Sequence, residues 1–328
     1  MSTQETYLKA IADAIRAKLG TTGAIKGSEF AAKIATIPSG IAKPKWVRTT
    51  AAASKDWVSV CYGNDRFVAV AADSNTAAYS TDGINWTQST LPANVNWRSV
   101  CYGDGKFVAV ARNTSIAAYS TDGINWTQST LPGSRYWYSV CYGKGKFVAV
   151  CMESMLPAYS TDGITWSSGR MPTSTFWKTV CYGNGKFVAI TDSAGIAAYS
   201  TDGINWTQTT LPNSSAYMVV CYGNGKFVAV ARNTSIAAYS TDGINWTQTT
   251  LPANVAWYSV CYGNGKFVAI NNEGNTAAYS TDGINWVQGA LPVNSQYWKS
   301  VCYGKGKFVA VMGYFEAAYL KDSFDEWE

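Results

Sequence analysis

The side chains of this sequence that could do chemistry are cysteines, aspartates in Asp-Gly pairs, and scattered arginines and tyrosines. The chain of 328 residues contains no histidine, so it lacks the commonest metal ligand and the commonest general base. Seven of its eight cysteines recur at one position of a sequence repeat, which indicates small buried core residues without metal or disulfide chemistry. Cys151, the eighth, replaces an alanine and is also interpreted as an apolar filler. The sequence therefore predicts no cofactor and no metal.

A repeat of 40 residues positions these side chains. The segment Tyr-Ser-Thr-Asp-Gly-Ile-(Asn/Thr)-Trp begins at Tyr79 and returns every 40 residues to Tyr279, with a degenerate copy at Tyr319. Each repeat contains four short apolar or β-branched runs separated by Gly, Asp-Gly and Pro. In one repeat they are residues 97–102, 106–111, 116–120 and 126–130. Such runs predict four antiparallel strands, which we call a to d.

Seven repeats of four strands predict an all-β fold, a seven-bladed β-propeller over residues 46–328. Residues 46–50 align with strand d of the next repeat, and the carboxyl end stops after a strand c. We therefore expect the first strand to complete the last blade and close the ring. A β-helix or a linear solenoid is the alternative architecture.

Charge and hydropathy exclude two classes of partner. The net charge of +5 arises early in the chain, because residues 1–45 hold seven Lys or Arg against three acids and the rest holds 19 against 18. A nearly neutral main body without a basic stripe predicts no nucleic-acid binding. No apolar stretch reaches the roughly 18 residues of a membrane helix, so no membrane insertion is expected. Unbridged thiols predict assembly in a reducing compartment.

The turn between strands c and d, Ser80-Thr81-Asp82-Gly83-Ile84-Asn85-Trp86, resembles the Asp-box hairpin of sialidase-like and other propellers. The resemblance implies a structural role, in which the aspartate fixes a tight hairpin and the tryptophan packs between blades. That role carries over to Asp82, Asp122, Asp162, Asp202, Asp242 and Asp282. The copy at residues 322–327 has lost the glycine and departs from the pattern.

The first 38 residues are predicted to form a small helical domain. Ser2-Thr3-Gln4-Glu5 is a capping box before an apolar stripe from Leu8 to Leu19, and a second short helix begins at Ser28. The sequence of these two segments resembles segments of tail-associated proteins of phages and prophages of Gram-positive gut bacteria. The segments are Leu-Lys-Ala-Ile-Ala-Asp-Ala-Ile-Arg-Ala-Lys and Ser-Glu-Phe-Ala-Ala-Lys-Ile. The resemblance implies a virion tail protein assembled in the bacterial cytoplasm.

Two helices this short need a partner to bury enough surface. The expected partner of residues 1–38 is a tail or baseplate protein, or sister copies in a homo-oligomer. Residues 39–45 are interpreted as a linker. Because the first strand is a strand d, it begins at the end of the blade that carries the a-to-b hairpins. We therefore expect the linker to leave the propeller at that end.

Differences among the repeats are concentrated in the b-to-c connections and around the aromatic residue that opens strand a. Antiparallel strands place the b-to-c and d-to-a connections at one end of every blade, here called the variable face. The a-to-b and c-to-d hairpins form the opposite, uniform face. We interpret the variable face as a binding surface, since loops on a rigid scaffold often carry function; free drift of exposed loops is the alternative. The candidate ligand-binding residues are Arg98, Arg112, Asn113, Tyr136, Tyr138, Met152, Glu153, Phe176, Lys178, Asp192, Arg232, Asn233, Tyr258, Asn272, Glu273, Tyr297, Lys299 and Tyr314.

Two series of tryptophans recur in the repeats, beginning at Trp57 and at Trp86. The series of Trp86 is expected to pack between blades. The series of Trp57 lies nearer the variable face, so stacking on a ligand stays open beside core packing.

The resulting hypothesis is a phage or prophage tail receptor-binding protein, an adhesin that recognises a host cell-surface glycan, glycopolymer or glycoprotein through the variable face. A protein-interaction scaffold is the alternative function. A sialidase-like glycoside hydrolase is less favoured, because the resemblance implies an arginine cluster with a tyrosine, a glutamate and an aspartate around a central pocket. The candidates for such a set are scattered over several repeats, so no enzyme is predicted. They are Arg98, Arg112, Arg135, Arg232 and Glu153.

Overall fold

The computed structural model describes residues 45–152, 154–192, 195–295, 297–313 and 316–321. The predicted helical domain of residues 1–38, the linker up to residue 44, and the candidates Glu153 and Tyr314 lie outside the described residues. The degenerate hairpin at residues 322–327 lies outside them as well.

The described residues form antiparallel β-strands joined by tight turns. In chain order the strands are β1 (Lys45–Thr50), β2 (Trp57–Gly63), β3 (Arg66–Ala71), β4 (Ser74–Ser80), β5 (Thr87–Gly103), β6 (Lys106–Ser120), β7 (Thr127–Gly143), β8 (Lys146–Met152), β9 (Ala158–Ser160), β10 (Ser167–Ser168), β11 (Trp177–Gly183), β12 (Lys186–Thr191), β13 (Ile196–Ser200), β14 (Thr207–Thr210), β15 (Tyr217–Gly223), β16 (Lys226–Ala231), β17 (Thr234–Ser240), β18 (Thr247–Val255), β19 (Trp257–Gly263), β20 (Lys266–Asn271), β21 (Gly274–Ser280), β22 (Val287–Ser295), β23 (Trp298–Gly304), β24 (Lys307–Met312) and β25 (Glu316–Lys321).

Each repeat folds into a four-stranded sheet in the order a-b-c-d, as β11-β12-β13-β14 shows. We number the repeats 1 to 7 by their strand a. These strands are β2, the second halves of β5 and β7, then β11, β15, β19 and β23. The first three sheets join into one of nine strands, because β5 and β7 each continue from strand d of one repeat into strand a of the next. The architecture is that of an all-β propeller.

The amino-terminal strand completes the last sheet, as predicted. β1 pairs antiparallel with β25, with Trp46 opposite Leu320 and Thr49 opposite Ala317. The sheet order is therefore β1-β25-β24-β23, in which strand d comes from the start of the chain. Because Lys45 lies opposite Lys321, the chain enters β1 at the uniform face, where strand c ends.

A glycine at the end of each strand a lets the next blade approach closely. A Cβ atom on Gly63 would lie 2.0 Å from Cγ of Tyr102, and the same Gly–Tyr contact recurs from each repeat to the next. The series ends with Gly304, whose Cβ would lie 2.1 Å from Cγ of Tyr62 in repeat 1. The last repeat thus packs on the first, so the β-helix and linear solenoid alternatives are wrong.

The core lies between neighbouring blades. In β3 every residue from 67 to 71 is buried, which accounts for the unbroken apolar runs of strand b. One cluster joins Val68 of repeat 1 to Phe107 of repeat 2, and Trp126 packs against it. An equivalent cluster joins Val268 of repeat 6 to the last repeat. Trp126 therefore has the interblade position expected for the series of Trp86.

The turns of the uniform face explain why their residues hardly vary. In repeat 4 the two central residues of the a-to-b turn, Asn184 and Gly185, have φ of 45° and 76°, the left-handed pair of a type I′ hairpin. Side chains of these turns reach the next blade, as Asn184 Nδ2 does by donating to the carbonyl of Thr241 at 3.1 Å. Uniformity of this face thus has a conformational cause.

The aspartate of the c-to-d turn fixes its hairpin. Asp82 Oδ1 accepts hydrogen bonds from the amides of Ile84 and Asn85 at 2.8 Å and from Ser80 Oγ at 2.9 Å, and Oδ2 accepts from Asn85 Nδ2 at 2.8 Å. Partial burial opposes the charged carboxylate, but these hydrogen bonds outweigh it and hold the pKa of Asp82 below its usual range. The same arrangement recurs in the next five repeats.

Candidate functional site

A β-bulge near the start of every strand a changes the direction of one residue. In repeat 2 the register with strand b shifts between Trp97 and Ser99, which leaves Arg98 as the extra residue of the bulge. The same shift occurs once in each of the seven strands a. A bulge redirects a side chain while the surrounding ladder stays paired. The bulged residues are Val58, Arg98, Tyr138, Lys178, Met218, Tyr258 and Lys299.

Six of these bulged side chains line one cavity of about 120 Å³, which we call the central pocket. They are Arg98, Tyr138, Lys178, Met218, Tyr258 and Lys299. The residue after each one completes the lining, and several of these are serines that tie strands a together. Ser99 Oγ accepts the amide of Val140 at 3.1 Å, and Ser300 Oγ accepts that of Val60 at 3.2 Å across the join of the ring. The structure therefore brings five of the predicted candidates together: Arg98, Tyr138, Lys178, Tyr258 and Lys299.

Cations surround two tyrosines in this pocket. Lys178 Nζ lies 4.2 Å and Arg98 Cζ 5.8 Å from the ring centroid of Tyr138, and Lys299 Nζ lies 5.6 Å from that of Tyr258. Tyr138 and Tyr258 belong to repeats 3 and 6, and each phenol acts on the pKa of the other. Bulged residues of separated blades thus meet at one place.

This environment moves the pKa values of the two phenols apart. Burial raises the pKa of Tyr138, but the charge and hydrogen bond of Lys178, the charge of Arg98 and the hydrogen bond from Tyr258 outweigh it and lower that pKa. Burial and the negative charge that develops on Tyr138 raise the pKa of Tyr258. The pocket therefore favours negative charge on the oxygen of Tyr138.

Two acidic groups belong to this neighbourhood. Asp192, a predicted candidate, pairs with Lys178 at 3.3 Å between Oδ2 and Nζ. Asp56 acts on Tyr258 through its charge, and its Oδ1 is buried without a hydrogen-bond partner among the described residues. Arg98 and Lys299 form no ion pair with any residue that the structure describes.

The connections of the variable face are more regular than the predicted loops. β6 runs through residues 112–115, and Arg112 pairs there with Tyr136 of the following d-to-a connection. Tyr136 in turn pairs with Met152. In this repeat the polar residues between strands b and c therefore pair with the following d-to-a connection. Asn113 takes φ of 59°, and the equivalent Asn233 takes 56°. This left-handed conformation suits asparagine and gives both residues a turn-forming role.

Two identical segments, residues 112–115 and 232–235, have different surroundings. Arg112 lies over the ring of Tyr136, with Cζ 4.8 Å from its centroid, and is half-buried. Arg232 is exposed, since the residue equivalent to Tyr136 in the next repeat is Ala256. The residue at this d-to-a position therefore determines whether the arginine packs on an aromatic ring or is exposed.

Exposed aromatic side chains mark the rim of the variable face. Tyr136, Phe176 and Tyr297 occupy the same position of three repeats and are 36%, 39% and 43% exposed. By contrast, Asn272 is held by the structure, because its Nδ2 donates to the carbonyl of Trp298 at 2.8 Å. Beside it, the carbonyl of Glu273 accepts a hydrogen bond from the side chain of Asn271.

The series of Trp57 is not available to a ligand. Trp57, Trp97, Trp137 and Trp177 are all buried. The indole of Trp97 donates from Nε1 to the carbonyl of Ala93 at 3.2 Å, and Trp57, Trp137 and Trp177 make the same bond. The option of ligand stacking is therefore wrong for these residues, since their rings pack in the core and their N–H groups are used.

Sequence reasoning located the variable positions but missed the bulges. The signal was present in part, because the residue after the strand-opening aromatic differs in nearly every repeat. Strict alternation along strand a assigns this residue to one sheet face. Only the register shift shows that the residues of separate blades meet. The predicted glycosidase candidates that the structure describes do not meet in this way: Arg98 lines the pocket, whereas Arg135 lies over the ring of Trp137, with Cζ 5.5 Å from the centroid.

The thiols are free; seven of the cysteines are half-buried and Cys151 is buried. All eight cysteines are unbridged. Burial raises the pKa of the Cys61 thiol, and neighbouring Cys101 and Cys302 raise it further, which places these thiols next to one another around the ring. Burial also raises the pKa of Cys151, to about 11. Within the described ranges, no group of three or more Cys, Asp or Glu is arranged to hold a metal ion. The same ranges contain no helix long and apolar enough to cross a membrane.

Comparison with known proteins supports the fold. A family model described as the DUF6242 beta propeller domain matches residues 43–144, less than half of the chain. No curated protein sequence matches the chain.

Solved structures with similar folds come from different functional classes. Virginiamycin B lyase from Staphylococcus aureus has a TM-score of 0.78 at 13% identity, covering 85% of this chain and 99% of that one. YCF48 bound to D1 peptide has a TM-score of 0.69 at 15% identity, covering 87% of this chain and 98% of that one. The WD40 propeller domain of Doa1 has a TM-score of 0.66 at 13% identity, covering 87% of this chain and 99% of that one. At these identities the likeness shows a shared fold, and the class that fold and comparison define is an all-β propeller protein.

Proposed function

We propose that this chain is a phage or prophage tail protein that binds a host cell-surface glycan through the variable face of a seven-bladed propeller. One observation carries the proposal: every strand a has a bulge at a residue that differs between repeats, and six of these residues line a single pocket. Packing alone would allow the same small residue at every copy. The lining of the pocket therefore differs from repeat to repeat, as expected of a recognition site.

The blade number in this proposal rests on two series of contacts. Seven hairpins of strands a and b recur along the chain, and Gly–Tyr contacts lead from each repeat to the next and from Gly304 back to Tyr62. One blade per repeat is the simplest ring with these contacts.

The chemistry of the rim suits a sugar ligand. Exposed aromatic rings at Tyr136, Phe176 and Tyr297 offer flat apolar surface at low conformational cost. Arg112, held over Tyr136, presents a guanidinium that can donate directed hydrogen bonds. Rigid aromatic contact combined with oriented donors is the pattern expected for a recognition surface.

The proposed location in a phage tail rests on residues 1–38, whose sequence resembles phage tail-associated proteins. The chain enters β1 at the uniform face, where Lys45 lies opposite Lys321.

A protein-interaction scaffold is the second candidate function. The similar fold of YCF48 bound to D1 peptide motivates it, because that propeller binds a peptide. Periodate oxidation and protease treatment of target cells distinguish the two, since the first destroys glycans and the second destroys proteins.

The test measures adsorption of the fluorescently labelled full chain to intact cells of candidate Gram-positive gut bacteria. We expect adsorption that survives protease treatment, is abolished by periodate, and falls at least tenfold in the triple variant Tyr136→Ala, Phe176→Ala, Tyr297→Ala. Lys146→Ala, in strand b at the uniform face, is the control and should adsorb normally. Adsorption that the triple variant retains in full contradicts the proposal, and loss after protease alone favours the scaffold.

A further inference from the structure

The central pocket is small and positively charged. Its volume of about 120 Å³ is below the range of about 300 to 1,000 Å³ that encloses a whole small-molecule ligand. A pocket of this size accommodates a substituent of a larger ligand. Three of its lining side chains, Arg98, Lys178 and Lys299, are cations.

The charges of the pocket are only partly compensated. Asp192 pairs with Lys178, and Asp56 is the other acid in this neighbourhood. Arg98 and Lys299 have tyrosine rings beside them in place of carboxylates, and Nε of Arg98 is buried without a hydrogen-bond partner among the described residues. A half-buried guanidinium and ammonium that lack ion pairs are stabilised by an anion, because the pocket screens charge less than open water.

The phenols add donors to these cations. Tyr138 and Tyr258 both line the pocket, and each acts on the pKa of the other. When protonated, a phenol can donate to an anionic oxygen. Met218 provides an apolar side of the same pocket.

We propose that the central pocket binds the anionic group of a surface polymer, a carboxylate or phosphodiester, between Arg98, Lys299 and Tyr138. This inference rests on the proposed function and deepens it, because it assigns an acidic glycan or glycopolymer as the ligand class. The exposed aromatic rings of the rim then contact the neutral sugar units, and the pocket binds the charged substituent. The lowered pKa of Tyr138 is consistent with a site that favours negative charge.

The first test is calorimetric titration of the full chain at low ionic strength with three probes. Glucuronate supplies a carboxylate, glycerol 1-phosphate supplies a phosphate, and glucose is neutral. We expect at least one anion to bind, glucose not to bind, and affinity to fall with added salt. Binding of glucuronate alone identifies a uronate-type polymer, and binding of glycerol 1-phosphate alone identifies a phosphate polymer.

Matched variants locate the binding. Lys299→Met and Arg98→Met should each weaken anion binding about tenfold, whereas Lys146→Met, which removes the same charge from the uniform face, should leave it unchanged. Equal affinities for Lys299→Met and Lys146→Met overturn the inference, as does the absence of binding by both anions.

A spectroscopic test uses the wild-type chain and does not depend on the folding of a variant. An anion beside Lys178 and Arg98 offsets their charge, so it should raise the pKa of Tyr138 in a titration of tyrosinate absorbance. Glucose should leave the titration unchanged, and an unchanged titration with a saturating anion contradicts the inference.

The two proposals can fail separately. Cell adsorption that persists in Lys299→Met and Arg98→Met, without anion binding by the wild type, leaves the proposed function standing and removes the anionic ligand. Anion binding without adsorption to any candidate cell retains the pocket and removes the tail-adhesin function.

Discussion

The aromatic ring of Tyr62 packs directly against the backbone of Gly304, and this contact joins the first repeat to the last. A Cβ on Gly304 would lie 2.1 Å from Cγ of Tyr62, and one on Gly183, inside the ring, would lie 2.0 Å from Cγ of Tyr222. The join is therefore packed as tightly as an ordinary boundary between blades. Ser300 adds a hydrogen bond at the same boundary, from the amide of Val60 at 3.2 Å.

Substitution of Gly304 by alanine should destabilise the whole propeller. The added Cβ meets the base of the Tyr62 ring, which cannot move without shifting strand a, and overpacking of this kind costs about 1–3 kcal/mol. Urea unfolding should show a similar loss for Gly304→Ala and for Gly183→Ala within the ring. A neutral effect at Gly304 together with a loss at Gly183 would show that the ends are not joined in solution.

Acid should weaken the c-to-d hairpins. Partial burial opposes ionisation of Asp162, but hydrogen bonds from the amides of Thr165 and Ile164 and from Ser160 prevail and lower its pKa to about 2. A carboxylate with a lowered pKa stabilises the folded state above its unfolded pKa of about 3.9, and this contribution disappears as the pH falls through the folded value.

The variant Asp162→Asn should therefore be less stable than the wild type at neutral pH, and the two should converge between about pH 4 and 2. Thermal unfolding across this pH range measures the effect. Asp104→Asn is the control, because Asn occupies the same turn position in other repeats, as at Asn184. A constant difference between Asp162→Asn and wild type across the range argues against the hydrogen-bonded carboxylate.

The thiols should be unreactive in the folded protein. Burial raises the pKa of Cys101 and its equivalents, and that of Cys151 to about 11, so little thiolate is present at about pH 8. A disulfide reagent should titrate eight thiols in concentrated guanidinium chloride and react far more slowly under native conditions. Rapid native labelling confined to Cys151 would indicate that the variable face opens near that residue.

The stack of Arg112 on Tyr136 should be measurable as a coupling energy. An arginine over an aromatic ring at a partly exposed site contributes about 0.5–1 kcal/mol. A double-mutant cycle with Arg112→Ala and Tyr136→Ala should give this value in chemical unfolding. Arg232→Ala in the identical segment should change stability by less than about 0.5 kcal/mol, because Arg232 is exposed. Zero coupling between Arg112 and Tyr136 would contradict the stack.

Most of the architecture could be predicted because it depends on local signals that recur. Asn-Gly at residues 184–185 specifies a type I′ turn, Asp82 specifies its hairpin, and residues 46–50 align with strand d. Comparing repeats also placed the variable positions at one end of the blades. These features need only the pattern of one repeat and its copies.

The pocket could not be predicted in the same way, since it depends on contacts between distant repeats. The hydrogen bond between Tyr138 and Tyr258 joins residues 120 positions apart, and the bulge that allows it has no residue type of its own. The sequence also left ligand stacking open beside core packing for the series of Trp57, to which the buried Trp97 belongs. Its ring enters the core because the indole N–H finds a carbonyl four residues earlier, at Ala93.

The pairing of β1 with β25 has a mechanical consequence. Six residue pairs hold the chain's entry strand along its whole length, with Lys45 at one end and Thr50 at the other. Tension applied through the leader while a ligand anchors the far face would pull β1 lengthwise past its neighbour. The six pairs would then bear the load together instead of separating one after another, so the strand through which the chain enters the ring resists lengthwise pulling as a unit.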